Sequence, residues 1–109
     1  IISTDDIRTQ SENVHAQMKR LSELTDVIYI HIDMDVLAPE EVSGHGLTAP
    51  DGPTSQELAD CLELIFPYPK AAAIGIASTP YGPRDPDRLS RQAAVRLVQG
   101  ALRGVNKRN

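Results

Sequence analysis

The segment Val27 to Ile32, VIYIHI, is apolar and mostly β-branched, and it runs directly into Asp33-Met34-Asp35. A strand with one wet face alternates apolar and polar residues, so an almost unbroken run predicts a central strand covered on both faces in a parallel sheet. A second run, AAAIGIA from Ala71 to Ala77, has the same character but is built of small residues that let a helix or another chain approach closely. Parallel strands need a crossover, and the sequence supplies one. Thr54 with Glu57 three residues on is a capping box, opening a helix with Leu58, Leu62 and Ile65 on one face that stops before Pro67.

The flanks extend this alternation. Residues 5–24 read as a helix: Thr4 is its N-cap, Asp5 and Asp6 suit its first turn, and Ile7, Val14, Met18, Leu21 and Leu24 fall at helical spacing. After the second strand, STPYGPRDP is turn-rich. Asp85 as N-cap and Pro86 as first residue begin a last helix whose broad apolar face carries Leu89, Ala93, Ala94, Leu97, Val98, Ala101 and Leu102 as far as Gly104. The basic residues from Arg103 to Asn109 read as a solvated C-terminus, and Arg84, Arg88 and Arg91 as a salt-bridged or oligomer-facing surface, with anion binding the alternative. The expected architecture is an α/β parallel-sheet segment with about two strands and three helices, forming one unit over 1–109. Two strands leave unpaired edges, so further strands are expected from a longer chain or from copies of this one.

Composition narrows the function. With 109 residues there is little room for a second domain. A net charge of -4, aromatics at only 4% and no Trp argue against a nucleic-acid partner. No apolar run approaches the ~20 residues that span a bilayer, and IISTDDIR lacks the order of a signal peptide, so no membrane partner is expected. The single Cys61 cannot form an internal disulfide and falls in a helical pattern, which suggests a reduced core position and a cytoplasmic setting. A start on two isoleucines without Met suggests a piece of a longer polypeptide.

Residues 34–54 contain Pro39, Gly44, Gly46, Pro50, Gly52 and Pro53, too many breakers for regular structure, and an ordered loop of that length is often site-forming. Ligands of open α/β sheets bind at the carboxyl ends of strands, which is where His31, Asp33 and Asp35 stand, on one face if the strand alternation holds. Two carboxylates at ~6 to 7 Å repel by roughly 2 to 3 kcal/mol at an effective dielectric of about 20. A divalent cation with oxygen ligands would relieve that, and a nearby imidazole widens the choice to Mn, Fe or Zn. The plainer alternative is that the two aspartates only cap the following loop.

The longer pattern HIDMDVLAPEEVSG, with Gly52 beyond it, resembles the ureohydrolase family of arginases, agmatinases and formiminoglutamases. In that family a strand ends in Ser-x-Asp-x-Asp, and Asp33, Asp35, Pro39, Gly44 and Gly52 fall in register with its motif. The resemblance covers the whole chain, as roughly the C-terminal third of a family member, and implies the three-layer arginase-like fold. It implies that Asp33 and Asp35 are ligands of a centre of two manganese ions. A hydroxide between the ions would attack a guanidinium or formimino carbon, releasing urea or formamide and an amine. It further implies a small guanidino or formimino substrate, a homo-oligomer (trimer or hexamer), and little activity for this segment alone, because the family's other ligands lie upstream of Ile1. His31, His45 and Asp51 are the candidate substrate contacts. Three positions depart from the motif. His31 replaces Ser, Ser43 replaces Pro, and Ala77 replaces the acidic residue that pairs with guanidinium. A phosphohydrolase of the haloacid dehalogenase type, which also uses a strand ending in D-x-D and would draw on Lys70, is the other hydrolase reading, and a non-catalytic oligomerisation segment is the third.

Overall fold

The computed structural model describes residues 2–42, 51–80 and 82–108. Among them the helices are α1 (Thr4–Thr9), α2 (Glu12–Leu24), α3 (Ser55–Ile65) and α4 (Leu89–Val105), and the strands β1 (Ile28–Asp33) and β2 (Ala71–Ala77). Short 3₁₀ turns occupy Met34–Val36, Pro39–Glu41 and Gly82–Arg84. The strands pair in parallel, with Ile30 beside Ile74, Ile32 beside Ile76 and Asp33 beside Ala77. The expected order of elements is therefore present, with one more helix than expected.

The extra helix arises because 5–24 is not continuous. Gln10 adopts a left-handed conformation at φ 51° and ends α1, and Ser11 then caps α2. Asp6 fixes this corner by accepting the Ser3 amide, the Ser11 hydroxyl and the Asn13 side-chain amide. These bonds, the Ser3 amide foremost, hold its carboxyl far below the usual carboxylate range. The N-cap is Ser3 rather than Thr4, with Asp6 completing a capping box. Val14 and Met18 are buried, but Leu24 is exposed.

β1 is covered on one face among the described residues. Ile28 and Ile32 enter the core and Ile30 packs partly against it, together with Ile74 and Ile76 of β2. Tyr29 and His31 project from the opposite, open face. The continuous apolar run is thus suited to a covering that these residues do not themselves provide on the second side.

α3 begins with the expected capping box: Thr54 accepts the Glu57 amide and Glu57 accepts the Thr54 amide. Its buried side presents Leu58, Ala59, Cys61, Leu62 and Ile65. Burial pushes the Cys61 thiol up to about 11, consistent with a core thiol that does no redox work. α4 packs along α3 through Ala93, Leu97, Gly100, Ala101 and Gly104. A Cβ at Gly100 would overlap the Ala59 carbonyl, so the small residue sets the helix separation. Val98 and Leu102, expected on the same face, lie outside, exposed by 42% and 56%.

The last helix starts at Leu89 rather than Pro86, with Arg88 left-handed at φ 58°. Asp85 still caps it from further back, accepting the Ser90 and Arg91 amides at 3.0 Å each. The basic tail is docked instead of solvated. Arg103 and Lys107 pair with Glu63, and Arg108 donates to the carbonyls of Phe66, Tyr68 and Ala71. Among the described residues no helix is long and apolar enough to cross a membrane.

Two outcomes follow from this packing. Gly100→Ala, normally favourable in a helix, lowers stability by about 1 to 3 kcal/mol here, whereas Gln99→Ala on the exposed side changes it by less than about 0.5, as read by denaturant unfolding. The Thr54 amide, aided by the Arg8 charge, holds the Glu57 carboxyl below its ordinary 4.5. A depressed folded-state pKa stabilises above the unfolded value and is lost as pH falls through the folded one. Acid unfolding of the wild type therefore includes a Glu57 contribution below about pH 4.5 that Glu57→Gln, which keeps the cap geometry, removes.

Candidate metal centre

The motif His31 to Leu37 is pinned from below. Met34 and Leu37 are fully buried, at 0% exposure, on either side of the 3₁₀ turn, so the turn that carries Asp35 is fixed to the core at both ends. Asp33 caps this turn, its Oδ1 accepting the Asp35 amide at 3.2 Å. The loop-capping role considered from sequence is therefore real for Asp33, and it leaves the second carboxylate oxygen for other partners.

Asp35 lies beyond the end of the strand. His31 and Asp33 share the open face of β1 as expected, but strand alternation does not place Asp35; the tight turn does. It places the Asp35 side chain where it hydrogen-bonds with the Asp33 carboxylate. The Asp35 amide, then the Ser78 hydroxyl, the Asp35 carboxyl and the charge of His31 hold Asp33 below the usual carboxylate range, against the opposing effect of desolvation. Two neighbouring carboxyl groups favour a shared proton or cation, because ionising both without compensation is costly.

Ser78 is the residue that sequence reasoning missed. It follows β2 in a left-handed conformation at φ 62°, and the parallel register that sets Asp33 beside Ala77 brings Ser78 to the Asp33 carboxylate. The signal was the strand pairing, which a motif confined to residues 31–39 does not contain. The same register puts Ala77 directly next to Asp33, so the position where the family carries an acidic residue adjoins the site without a carboxylate.

His31 is steadied from behind. The Tyr29 hydroxyl and His31 Nδ1 lie 3.5 Å apart with ring centroids at 6.1 Å, and Tyr29 lies over Gly75, where a Cβ would overlap its hydroxyl. His31 and Asp33 line a cleft of about 260 Å³ whose apolar wall includes Ile7, Val36, Pro53 and Leu58. Asp51 does not line that cleft. It is exposed, and its backbone carbonyl, like that of Gly52, accepts from the Arg8 guanidinium at 2.9 Å. His45, Ser43 and Gly44 lie outside the described residues. Lys70, which the phosphohydrolase reading would need, instead donates to the Ser22 and Thr25 carbonyls at the end of α2.

As a donor set, Asp33 and Asp35 fit a hard divalent cation: both offer carboxylate oxygen, they are mutually in contact, and Asp33 is oriented by its own hydrogen bonds. Among the described residues no third His, Cys, Asp or Glu joins them in a group that could hold an ion.

The segment Asp51 to Pro53 braces the turn from above. Pro53 accepts the Ala38 amide at 2.9 Å, and a Cβ on Gly52 would overlap the Val36 carbonyl oxygen. Gly52→Ala must push this segment off the Met34–Val36 turn, and it lowers stability by about 1 to 3 kcal/mol in thermal unfolding, whereas Asp51→Ala leaves it within about 0.5.

Comparison with known proteins agrees with this fold. No curated protein sequence matches the chain significantly. Among solved structures, formimidoylglutamase from Bacillus subtilis subsp. subtilis str. 168 is similar with a TM-score of 0.79 and 26% identity, over 97% of this chain and 34% of that one. An Entamoeba histolytica arginase in complex with L-ornithine is similar at 0.73 and 18% identity, over 93% of this chain and 34% of that one. A Helicobacter pylori arginase is similar at 0.64 and 18% identity, over 91% and 35%. The two arginases speak for the fold alone, and the chain spans about a third of the length of all three structures. The family profile described as Arginase family matches residues 1–102, so with this fold and this strand-end pair the chain belongs to the arginase family.

Proposed function

We propose that this chain carries the Asp33 and Asp35 part of a manganese centre in a hydrolase that splits the C–N bond of a small guanidino or formimino compound. The observation that supports it most is the turn at the carboxyl end of β1, which sets Asp35 beside Asp33 with the Asp33 carboxylate oriented by the Asp35 amide, a placement of two carboxyl groups that costs electrostatic energy unless a cation or proton lies between them. Manganese bound there would supply the activation of water that such a hydrolysis needs at neutral pH.

The chain's own residues have separable tasks in this reading. Asp33 and Asp35 hold the metal. The Asp35 amide and the Ser78 hydroxyl fix the direction of the Asp33 carboxylate, as outer partners do for metal-bound carboxylates generally. His31, on the same strand face and backed by Tyr29, meets the substrate in the cleft beside Asp33. His45 and Asp51, the other substrate contacts expected from sequence, belong to the loop after the motif. A cationic guanidinium would find no partner at Ala77, forgoing a charge-assisted contact of about 1.5 to 3 kcal/mol. The higher identity to a formimidoylglutamase than to the arginases favours a formimino substrate.

Two carboxylates are a small share of the donors that two manganese ions require. The 109 residues by themselves therefore hold manganese weakly and turn over little, the remaining ligands coming from protein beyond them. The unpaired edges of the two-stranded sheet and the open face of β1 support assembly with further copies, as a homo-oligomer, a trimer or hexamer. The Lys70 contacts and the family assignment weigh against the phosphohydrolase alternative.

The test is manganese affinity and product release together. Asp33→Asn weakens manganese binding by about tenfold or more, and in a chain with the full ligand set it abolishes manganese-dependent release of formamide or urea. Manganese content and turnover unchanged by Asp33→Asn would remove the assignment.

A further inference from the structure

A second cavity lies away from the Asp33–Asp35 pair. It encloses about 680 Å³ between the loop after β2 and the first turns of α4. Pro80, Pro86, Ala94 and Val95 give it an apolar floor, and Arg88 and Arg91 line it together with Thr79, Gly82 and Asp85. Several cations elsewhere in the molecule are neutralised. Arg8 pairs with Glu57, Arg96 with Glu41, and Arg103 and Lys107 with Glu63. Among the described residues no carboxylate lies within ion-pairing distance of Arg88 or Arg91. One carboxylate does border the cavity, that of Asp85, but both its oxygens accept backbone amides, from Ser90 and Arg91. The salt-bridged surface expected for these arginines is thus not formed. A shallower groove of about 350 Å³ carries the same two arginines along α4 past Gln92 and Gln99.

Two guanidinium groups beside an apolar floor match an anion that has an apolar body. Guanidinium presents a planar fork that binds a carboxylate bidentately, while prolines, alanine and valine offer nothing to a bare, strongly hydrated ion. We infer that this cavity binds a small organic carboxylate, its oxygens held by Arg88 and Arg91 and its apolar part lying on Pro80, Pro86, Ala94 and Val95. The inference stands apart from the proposed metal chemistry, since it uses none of the residues placed at the strand end.

Three probes separate the possibilities: phenylacetate, acetate and inorganic phosphate, each titrated into the purified protein at low ionic strength and followed by amide chemical shifts. Phenylacetate is expected to give saturable shifts confined to residues 79–95 and to bind at least about tenfold more tightly than acetate or phosphate. Arg91→Gln, and Arg88→Asn chosen because Asn tolerates the left-handed backbone, each weaken it by about tenfold or more. Arg84→Ala, outside the cavity lining, leaves it unchanged, and circular dichroism checks that each variant is folded. Phosphate binding as tightly as phenylacetate would overturn the organic-carboxylate assignment. Phenylacetate shifts that do not saturate, or that survive in both folded arginine variants, would overturn the site itself.

Discussion

The site depends on a tight turn anchored at both ends. Met34 and Leu37 are buried completely, and between and beside them the backbone has room only for a single 3₁₀ turn. Because that turn is so short, Asp33 and Asp35 cannot separate to the distance their charges would prefer. The hydrophobic energy of burying two large side chains, on the order of 1.5 to 3 kcal/mol each, is comparable with the cost of holding two carboxyl groups side by side. Core packing therefore holds an electrostatically unfavourable pair at the sheet's ligand end, a familiar way for a fold to prepare a binding site.

The surrounding elements keep the turn in place. Gly52 lets the chain return directly over the Val36 carbonyl, and Arg8 ties the Asp51 and Gly52 carbonyls while pairing with Glu57 at the start of α3. Glu41, just after the turn, accepts from the Ser55 amide and hydroxyl, and Arg96 of α4 joins the same group. A single polar chain thus links the turn to the N-terminus of α3 and to α4. Exposed ion pairs contribute little each, but Ser55 is buried, and its bonds fix how the helices meet the turn.

Much of this was legible in the sequence because it rests on local rules. The Thr54–Glu57 box, the small-residue strand and the D-x-D at a strand end each have a physical signature within a few residues. What escaped depends on contacts distant in sequence or on single backbone angles. Gln10 breaks the first helix by turning left-handed, which nothing in a helical apolar spacing reveals. Leu24, Val98 and Leu102 obey the spacing of a buried face yet lie exposed, since period alone does not say which neighbour is present to cover a helix. Ser78 reaches Asp33 only through the register of two strands whose partners lie 44 residues apart along the chain, as the pairing of Tyr29 with Ala73 and of Asp33 with Ala77 defines it. The tail was misjudged for the same reason: its charges look solvated until the carbonyls of Phe66, Tyr68 and Ala71 come within reach of Arg108.

The most direct measurement of the central claim is the paramagnetic resonance of manganous ion titrated with this protein as a chain that carries the full ligand set. If Asp33 and Asp35 together receive the ion, the six-line signal of aqueous manganese diminishes as wild-type protein is added, and retains its full height with the Asp33→Asn, Asp35→Asn double variant. An aqueous signal equally unaffected by both proteins, or equally reduced by both, contradicts the claim.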